Sequence, residues 1–248
     1  MTMLSVNVNK VALLRNVRNA GHPNVLEASR ICLEAGAGGI TVHPRPDQRH
    51  TRPEDVLELA ALLRDAPGCE LNVEGNPFPE FLDLVRRTKP TQCTLVPDAP
   101  DAITSDHGWD LEIDGPRLRS IIRELQERGI RVSLFVDPDP AQIGRAKEIG
   151  SDRIELYTES YARAHGTDRQ DEVLELFARA AATAREVGLG VNAGHDLALD
   201  NLGLFCRTIP NVLEVSIGHA LISYSLEVGL RQAVSDYRSA LEGRRQAN

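Results

Sequence analysis

The feature that most constrains this chain is its rhythm: short runs rich in β-branched residues alternate, from one end to the other, with longer stretches of helical periodicity. Strand candidates fall at 4–9, 39–43, 70–74, 92–96, 131–136, 153–157, 190–192 and 213–217. Amphipathic stretches lie between them, at 26–35, 53–64, 79–87, 116–128, 140–149, 172–187 and 201–209, with a last one at about 224–244. In the second of these, Leu57, Leu59, Ala60, Leu62 and Leu63 recur at the three- and four-residue spacing of one helix face. A further helix-like segment, 10–20, follows the first strand. Pro53, Pro116 and Pro140 open helices, where a missing N–H costs nothing, and Gly36, Gly129, Gly150 and Gly188 close others. Spread over eight units, 248 residues give 31 each, the size of one βα repeat. Parallel crossovers of that size close most simply into a TIM (β/α)8 barrel with extra helices, one domain over 1–248; an open doubly wound sheet is the alternative.

Composition narrows the partners. The net charge is −8, so there is no basic excess to release counterions from nucleic-acid phosphates. At 42% hydrophobic residues the chain has enough apolar material to fold rather than stay disordered. No apolar run reaches the roughly 18 residues of a membrane span, and 1–10 alternates polar and apolar, unlike a signal peptide. Cys32, Cys69, Cys93 and Cys206 are scattered and read as reduced thiols of a cytoplasmic protein.

In a barrel, the C-terminal ends of the strands face the functional mouth. Those ends carry Asn7 and Asn9, His43, Glu74, Glu155, Asn192 and His195, and Gly218 with His219. Three of the seven histidines fall there. Glu74 and Glu155 sit inside apolar runs, where a carboxylate is expensive without a partner. Each is open to two readings, a catalytic group or one half of an ion pair with a barrel arginine. Arg45 and His50 follow His43 in a proline-stiffened loop, and Arg45 offers a planar fork suited to a phosphate. Arg49 and Arg52 read as solvated. Gly194 and Gly218 would let backbone N–H groups approach an anion near a helix N-terminus. The polar stretch 97–109 reads either as a lid or as a surface insertion.

Several chemistries lack their signatures. There is no P-loop, no dinucleotide-binding glycine pattern, no H-E-x-x-H and no G-x-S-x-G. The only lysines are Lys10, Lys89 and Lys147, and none sits inside a strand end, so an enzyme-linked imine is disfavoured. Acid–base work by Glu and His is favoured instead, with no metal.

Taken together, L-S-V-N-V-N-K-V-A-L-L-R-N-V-R, G-I-T-V-H-P-R-P-D-Q-R-H, L-N-V-E-G, V-S-L-F-V-D, I-E-L-Y-T, V-N-A-G-H-D-L and I-G-H-A-L-I resemble the pyridoxine 5′-phosphate synthase family, in order and over essentially the whole chain. The resemblance implies a TIM barrel assembling as a homo-octamer. It implies a transferase-type, ring-closing step of vitamin B6 biosynthesis: 3-amino-2-oxopropyl phosphate and 1-deoxy-D-xylulose 5-phosphate condense to pyridoxine 5′-phosphate, releasing phosphate and water, with no cofactor. By motif position, His43 and Glu74 match proton acceptors, His195 a proton donor and Glu155 a transition-state stabiliser. Asn7, Arg18, Asp196, Gly218 and His219 match positions that hold the amino-ketone phosphate. Asn9, Lys10, Arg45, His50 and Thr104 match those that hold the sugar phosphate, and 97–109 matches the closing loop. Asn9-Lys10 departs from the usual Asp-His, Asp196 from the usual glycine, and Ser223-Tyr224 from the usual small residue and arginine.

Two other readings stand beside this one. A cofactor-free barrel isomerase or epimerase acting on a phosphosugar would need one phosphate site rather than two. A non-catalytic phosphometabolite sensor would bind without turnover. All three take small phosphorylated molecules as partners, and neither nucleic acid nor membrane.

Overall fold

The computed structural model describes residues 2–18, 20–100, 102 and 104–243. Eight parallel strands, β1 (Met3–Asn7), β2 (Gly39–Val42), β3 (Glu70–Gly75), β4 (Gln92–Leu95), β5 (Arg131–Val136), β6 (Arg153–Tyr157), β7 (Gly190–Gly194) and β8 (Val212–Ile217), close into a barrel in sequence order. The ring shuts where Leu4 of β1 pairs with Val215 of β8. Helices run outside it: α1 (Asn9–Arg18), α2 (Val25–Glu34), α3 (Pro53–Arg64), α4 (Pro79–Thr88), α5 (Gly115–Glu127), α6 (Pro140–Glu148), α7 (Glu159–Ala164), α8 (Gln170–Glu186), α9 (Leu199–Thr208), α10 (His219–Val228) and α11 (Leu230–Leu241). The barrel and its extra helices are those read from the sequence. Gly36, Gly129, Gly150 and Gly188 each take positive φ just past a helix end, as their position implied.

Two elements differ from the sequence reading. The short α7 went unseen, because six residues are too few to show a period. The last helix is two: Gly229, at φ 84°, breaks the 224–244 stretch, and the first part starts earlier, at His219. No helix among the described residues is long and apolar enough to cross a membrane.

Strand alternation explains where the core sits. Leu71 and Val73 of β3, Ile154 and Leu156 of β6 and Val215 and Ile217 of β8 are buried against the helix layer. The other parity points inward, and it is polar. Gln92 Nε2 donates to Glu214 Oε2 at 3.1 Å, and Asn192 Nδ2 donates to Gln92 Oε1 at 3.2 Å, so β4, β7 and β8 touch across the lumen. Above them Ser5 and Thr41 share a 2.7 Å hydrogen bond, and Thr94 Oγ1 donates to Asn72 Oδ1 at 3.0 Å. A polar lumen needs every group satisfied, and this ladder does much of that.

Candidate active site

The strand C-termini surround a cavity of about 350 Å³. Asn7, Asn9, Lys10, His43, Arg45, His50, Glu74, Thr104, Glu155, His195, Asp196, Gly218 and His219 all line it. Arg18 does not: it is exposed at the far end of α1. A second cavity, of about 650 Å³, shares His43 and Arg45 but is otherwise walled largely by proline and phenylalanine. The ionisable side chains meet in the first.

Glu74 and Glu155 rise from β3 and β6 on the lumen-facing parity. Neither has a cationic partner within ion-pair distance among the described residues. Glu74 has only long contacts, from Asn72 Nδ2 at 3.4 Å and Ser216 Oγ at 3.5 Å. Burial, then the charges of Glu214 and Asp98, push its carboxyl up to about 8. Burial and the neighbouring Glu74 and Glu214 hold Glu155 well above the ordinary carboxylate range. Its Oε2 is buried without a partner, and its Oε1 lies where a side chain on Gly194 would have to go. Gly194 therefore makes room for a carboxylate, a role different from the backbone–anion approach expected of it.

His43 is the opposite case. Burial, then Arg45 and His50, drive its imidazole well below the usual range, which favours the neutral ring. Its backbone N–H donates to Asn9 Oδ1 at 2.9 Å, and Thr51 Oγ1 donates to the same oxygen at 3.2 Å. The amide of Asn9 thus locks the end of β2. His50 is lowered to about 4, by burial and then by Lys10 and Arg45.

Two helix N-termini open onto the cavity. Asn9 begins α1, with its N–H taken by Asn7 Oδ1 at 3.0 Å. Gly218 caps α10 without a side-chain hydrogen bond to its first turn, leaving N–H groups for an anion. Lys10 and His219 stand beside these two ends.

The described residues of the stretch after β4 pack against the barrel, with Thr104 and Ser105 in the cavity wall. Trp109 Nε1 donates to Leu95 O at 2.8 Å, Ser105 Oγ to Asp98 Oδ2 at 2.7 Å, and Gly108 N to Asp137 Oδ2 at 3.2 Å. Asp101 and Ile103 lie outside the described residues. Arg45 is drawn into this packing. Its Nη2 pairs with Asp98 at 2.6 Å and its Nη1 donates to Ala102 O at 2.8 Å, leaving a buried Nε unpartnered. Only part of its fork remains for a ligand. Arg49 is not free in solvent either: it pairs with Asp47 and also reaches Ala102 O.

His195 follows β7 in a left-handed conformation, φ 68°. Its Nε2 is 3.1 Å from Thr104 Oγ1, and its Nδ1 is 3.2 Å from Asp196 Oδ2. The ring stands edge to face with Tyr157, centroids 5.4 Å apart, and Tyr157 packs on Phe135 at 5.3 Å. Val96, Phe135, Tyr157, Ser105, Glu159 and Ser216 also line the cavity, and sequence reasoning singled out none of them as a site residue. The period-two step from Glu155 to Tyr157, and from Glu214 to Ser216, was the available signal. Among the described residues no three His, Cys, Asp or Glu side chains are grouped so as to hold a metal ion.

Comparison with known proteins fits this geometry. Residues 4–243 match the family model described as pyridoxal phosphate biosynthesis protein PdxJ. The chain is 52% identical to a pyridoxine 5′-phosphate synthase of Albidiferax ferrireducens, over 98% of this chain and 99% of that one. It is 54% identical to one of Xylella fastidiosa, over 97% of this chain and 95% of that one. Among solved structures, phosphoribosyl anthranilate isomerase of Thermotoga maritima superposes with a TM-score of 0.63 at 15% identity, covering 98% of this chain and 100% of that one, which speaks to the barrel alone.

Proposed function

The chain belongs to the PdxJ family of pyridoxal phosphate biosynthesis proteins, and from that premise we propose that this mouth forms pyridoxine 5′-phosphate by joining 3-amino-2-oxopropyl phosphate to 1-deoxy-D-xylulose 5-phosphate. The observation that carries the reading is the set Glu74, Glu155, His43 and His195 around one cavity with two helix N-termini. Imine formation, dehydration, phosphate loss and ring closure are all proton transfers, and each needs a group whose proton affinity suits it. Neutral His43 and the ionised form of Glu74 accept protons. Glu155, held in its protonated form by burial, donates a hydrogen bond to charge that develops in the transition state. His195 donates to a departing oxygen.

The uncapped end of α10, with His219 and Asn7, suits the amino-ketone phosphate. Lys10, His50 and the remaining donor of Arg45, with Thr104 above, suit the sugar phosphate. Holding both esters in one covered space replaces a two-body encounter by an oriented one. No organic cofactor or metal is called for by these steps. Four free cysteines suit a reducing cytoplasm. The homo-octamer implied by family likeness would find a surface at exposed Leu14 and Val17 of α1, the helix that also carries Arg18.

The test is direct. Purified protein given both substrates should release inorganic phosphate and pyridoxine 5′-phosphate in equal amounts. Calorimetry should show two phosphate esters bound per chain. Binding of a single ester, with its isomer as product, would establish the phosphosugar isomerase instead.

A further inference from the structure

We propose that Asp196 is a positioning residue for His195, accepting the ring Nδ1–H and so fixing the tautomer that presents Nε2 to the reacting atoms beneath Thr104. The inference rests on the reading of His195 as the proton donor, and it gives Asp196 a role other than holding phosphate.

Geometry supports it in three ways. First, both ring nitrogens are engaged: Nδ1 is 3.2 Å from Asp196 Oδ2 and Nε2 is 3.1 Å from Thr104 Oγ1. An ionised carboxylate can only accept, so the Nδ1 side must carry the hydrogen. In the neutral ring Nε2 then accepts from the Thr104 hydroxyl; in the cationic ring it is the nitrogen that gives up a proton.

Second, the backbone is shaped to make the contact. Successive side chains of a strand point to opposite faces, which would part residues 195 and 196. The left-handed turn at His195, φ 68°, breaks that alternation and sets the two side chains together. Such a conformation is uncommon for a residue with a Cβ and persists only where its surroundings impose it. Here Thr158 Oγ1 and Leu197 N both donate to the His195 carbonyl.

Third, the ring cannot easily turn over. Tyr157 stands edge to face with it at 5.4 Å, and Phe135 flanks it at 6.3 Å. Other titratable groups act on the pair and its neighbours: His43 and His219 on His195 and Asp196, Asp106 and Glu159 on Tyr157. They remain when Asp196 is changed, so a substitution there isolates the hydrogen bond from the wider field. The bond to His195 also holds the Asp196 carboxyl below its ordinary range, as an acceptor needs.

The experiment compares the wild-type protein with Asp196→Asn and Asp196→Glu. Nitrogen-15 NMR of histidine-labelled protein, with His195 assigned through His195→Gln, reads the tautomer directly. In the neutral ring, wild type should show a protonated Nδ1 and an unprotonated Nε2, with Nε2 the site that gains and loses the second proton. Asp196→Asn, whose amide can donate, should lose that preference, and its kcat should fall roughly tenfold, with KM for both esters within about twofold. Asp196→Glu should recover most of both properties. An unchanged tautomer in Asp196→Asn overturns the proposal whether or not product forms, and so does a raised KM at constant kcat. Wild-type protein with the expected tautomer but no pyridoxine 5′-phosphate overturns the synthase reading and leaves the Asp196–His195 coupling standing.

Discussion

Near the strand N-termini, two glutamates inside the barrel each face a guanidinium: Glu70 meets Arg131, and Glu214 lies 3.3 Å from Arg153. Nearer the mouth, Glu74 and Glu155 have no ion pair among the described residues. The two floors share one pattern, since Glu70 and Glu74 are on β3 and Arg153 and Glu155 are on β6, all on the same parity. What separates them is where the arginines sit. A buried charge without a partner is costly, so the lower floor commits its cations to holding strands together. The upper floor leaves its carboxylates to burial and to the charge of neighbouring carboxylates, Glu214 below among them, which raise their proton affinity. One floor is built for stability, the other for proton transfer.

The strongest way to break that contrast is Glu74→Gln. Turnover should fall by roughly 10²–10⁴ if Glu74 takes a proton in the reaction. Stability should move the other way. Glu74 in the folded state titrates at about 8, above its unfolded value of 4.5, so its contribution is full below 4.5 and is lost as pH rises through about 8. The amide never ionises, so thermal unfolding of Glu74→Gln should exceed that of wild type, and by more at pH 9 than at pH 6. A variant that melts lower at every pH yet keeps its turnover would place Glu74 among the structural glutamates.

Arg153→Met makes the mirror-image cut. It leaves Glu214 buried, with Gln92 and Asn192 but no cation within ion-pair distance among the described residues. Stranding such a charge costs about 3 kcal/mol, or on the order of 6–12 °C in unfolding temperature for a chain of this size. Turnover of the folded fraction should stay within about threefold. Calorimetry and initial rates on the same sample separate the two effects.

Much of this was legible in the sequence, and the failures are instructive. The eight strands were readable because β-branched runs alternate with helical stretches that proline opens and glycine closes, which leaves few alternatives. Their functional ends followed from barrel geometry alone. Glu74 and Glu155 stood out as carboxylates in apolar runs, but nothing local says which interior glutamate owns an arginine. Arg131 and Arg153 reach Glu70 and Glu214 across 61 residues each, a pairing fixed only by closure of the ring. Arg45 looked like a phosphate fork, yet Asp98, 53 residues away, takes one arm of it. Arg18 matched a family position and lies outside the cavity of its own chain. For the glutamates and for Arg45 a short-range motif was readable and a long-range partner was not.

A smaller effect concerns the pH profile. Because the free protein holds Glu74 at about 8, kcat/KM should climb as pH rises through that value, as an acceptor loses its blocking proton. Initial rates between pH 6 and 9 test this. A rate already flat from pH 6 upward would mean that another group, with an ordinary affinity, does the accepting.

The finest test sits on one strand. Gly190 and Gly194 open and close β7, and each gives way to a side chain of a different floor. A Cβ on Gly190 would stand 2.8 Å from Arg153 Cγ and 3.0 Å from Leu213 Cδ1. A Cβ on Gly194 would fall on the carboxylate of Glu155. Neither glycine has positive φ, so alanine strains neither backbone and the effect is purely one of space. Gly190→Ala should cost about 1–2 kcal/mol of stability through overpacking, with kinetics unchanged. Gly194→Ala should leave the unfolding temperature within a few degrees, since a carboxylate at the open end of the lumen can shift toward the cavity; turnover should drop about tenfold as Glu155 leaves its position. If both alanines cost the same stability and neither slows the reaction, then Glu155 is held no more exactingly than Arg153, and the division between the two floors lies elsewhere than in their carboxylates.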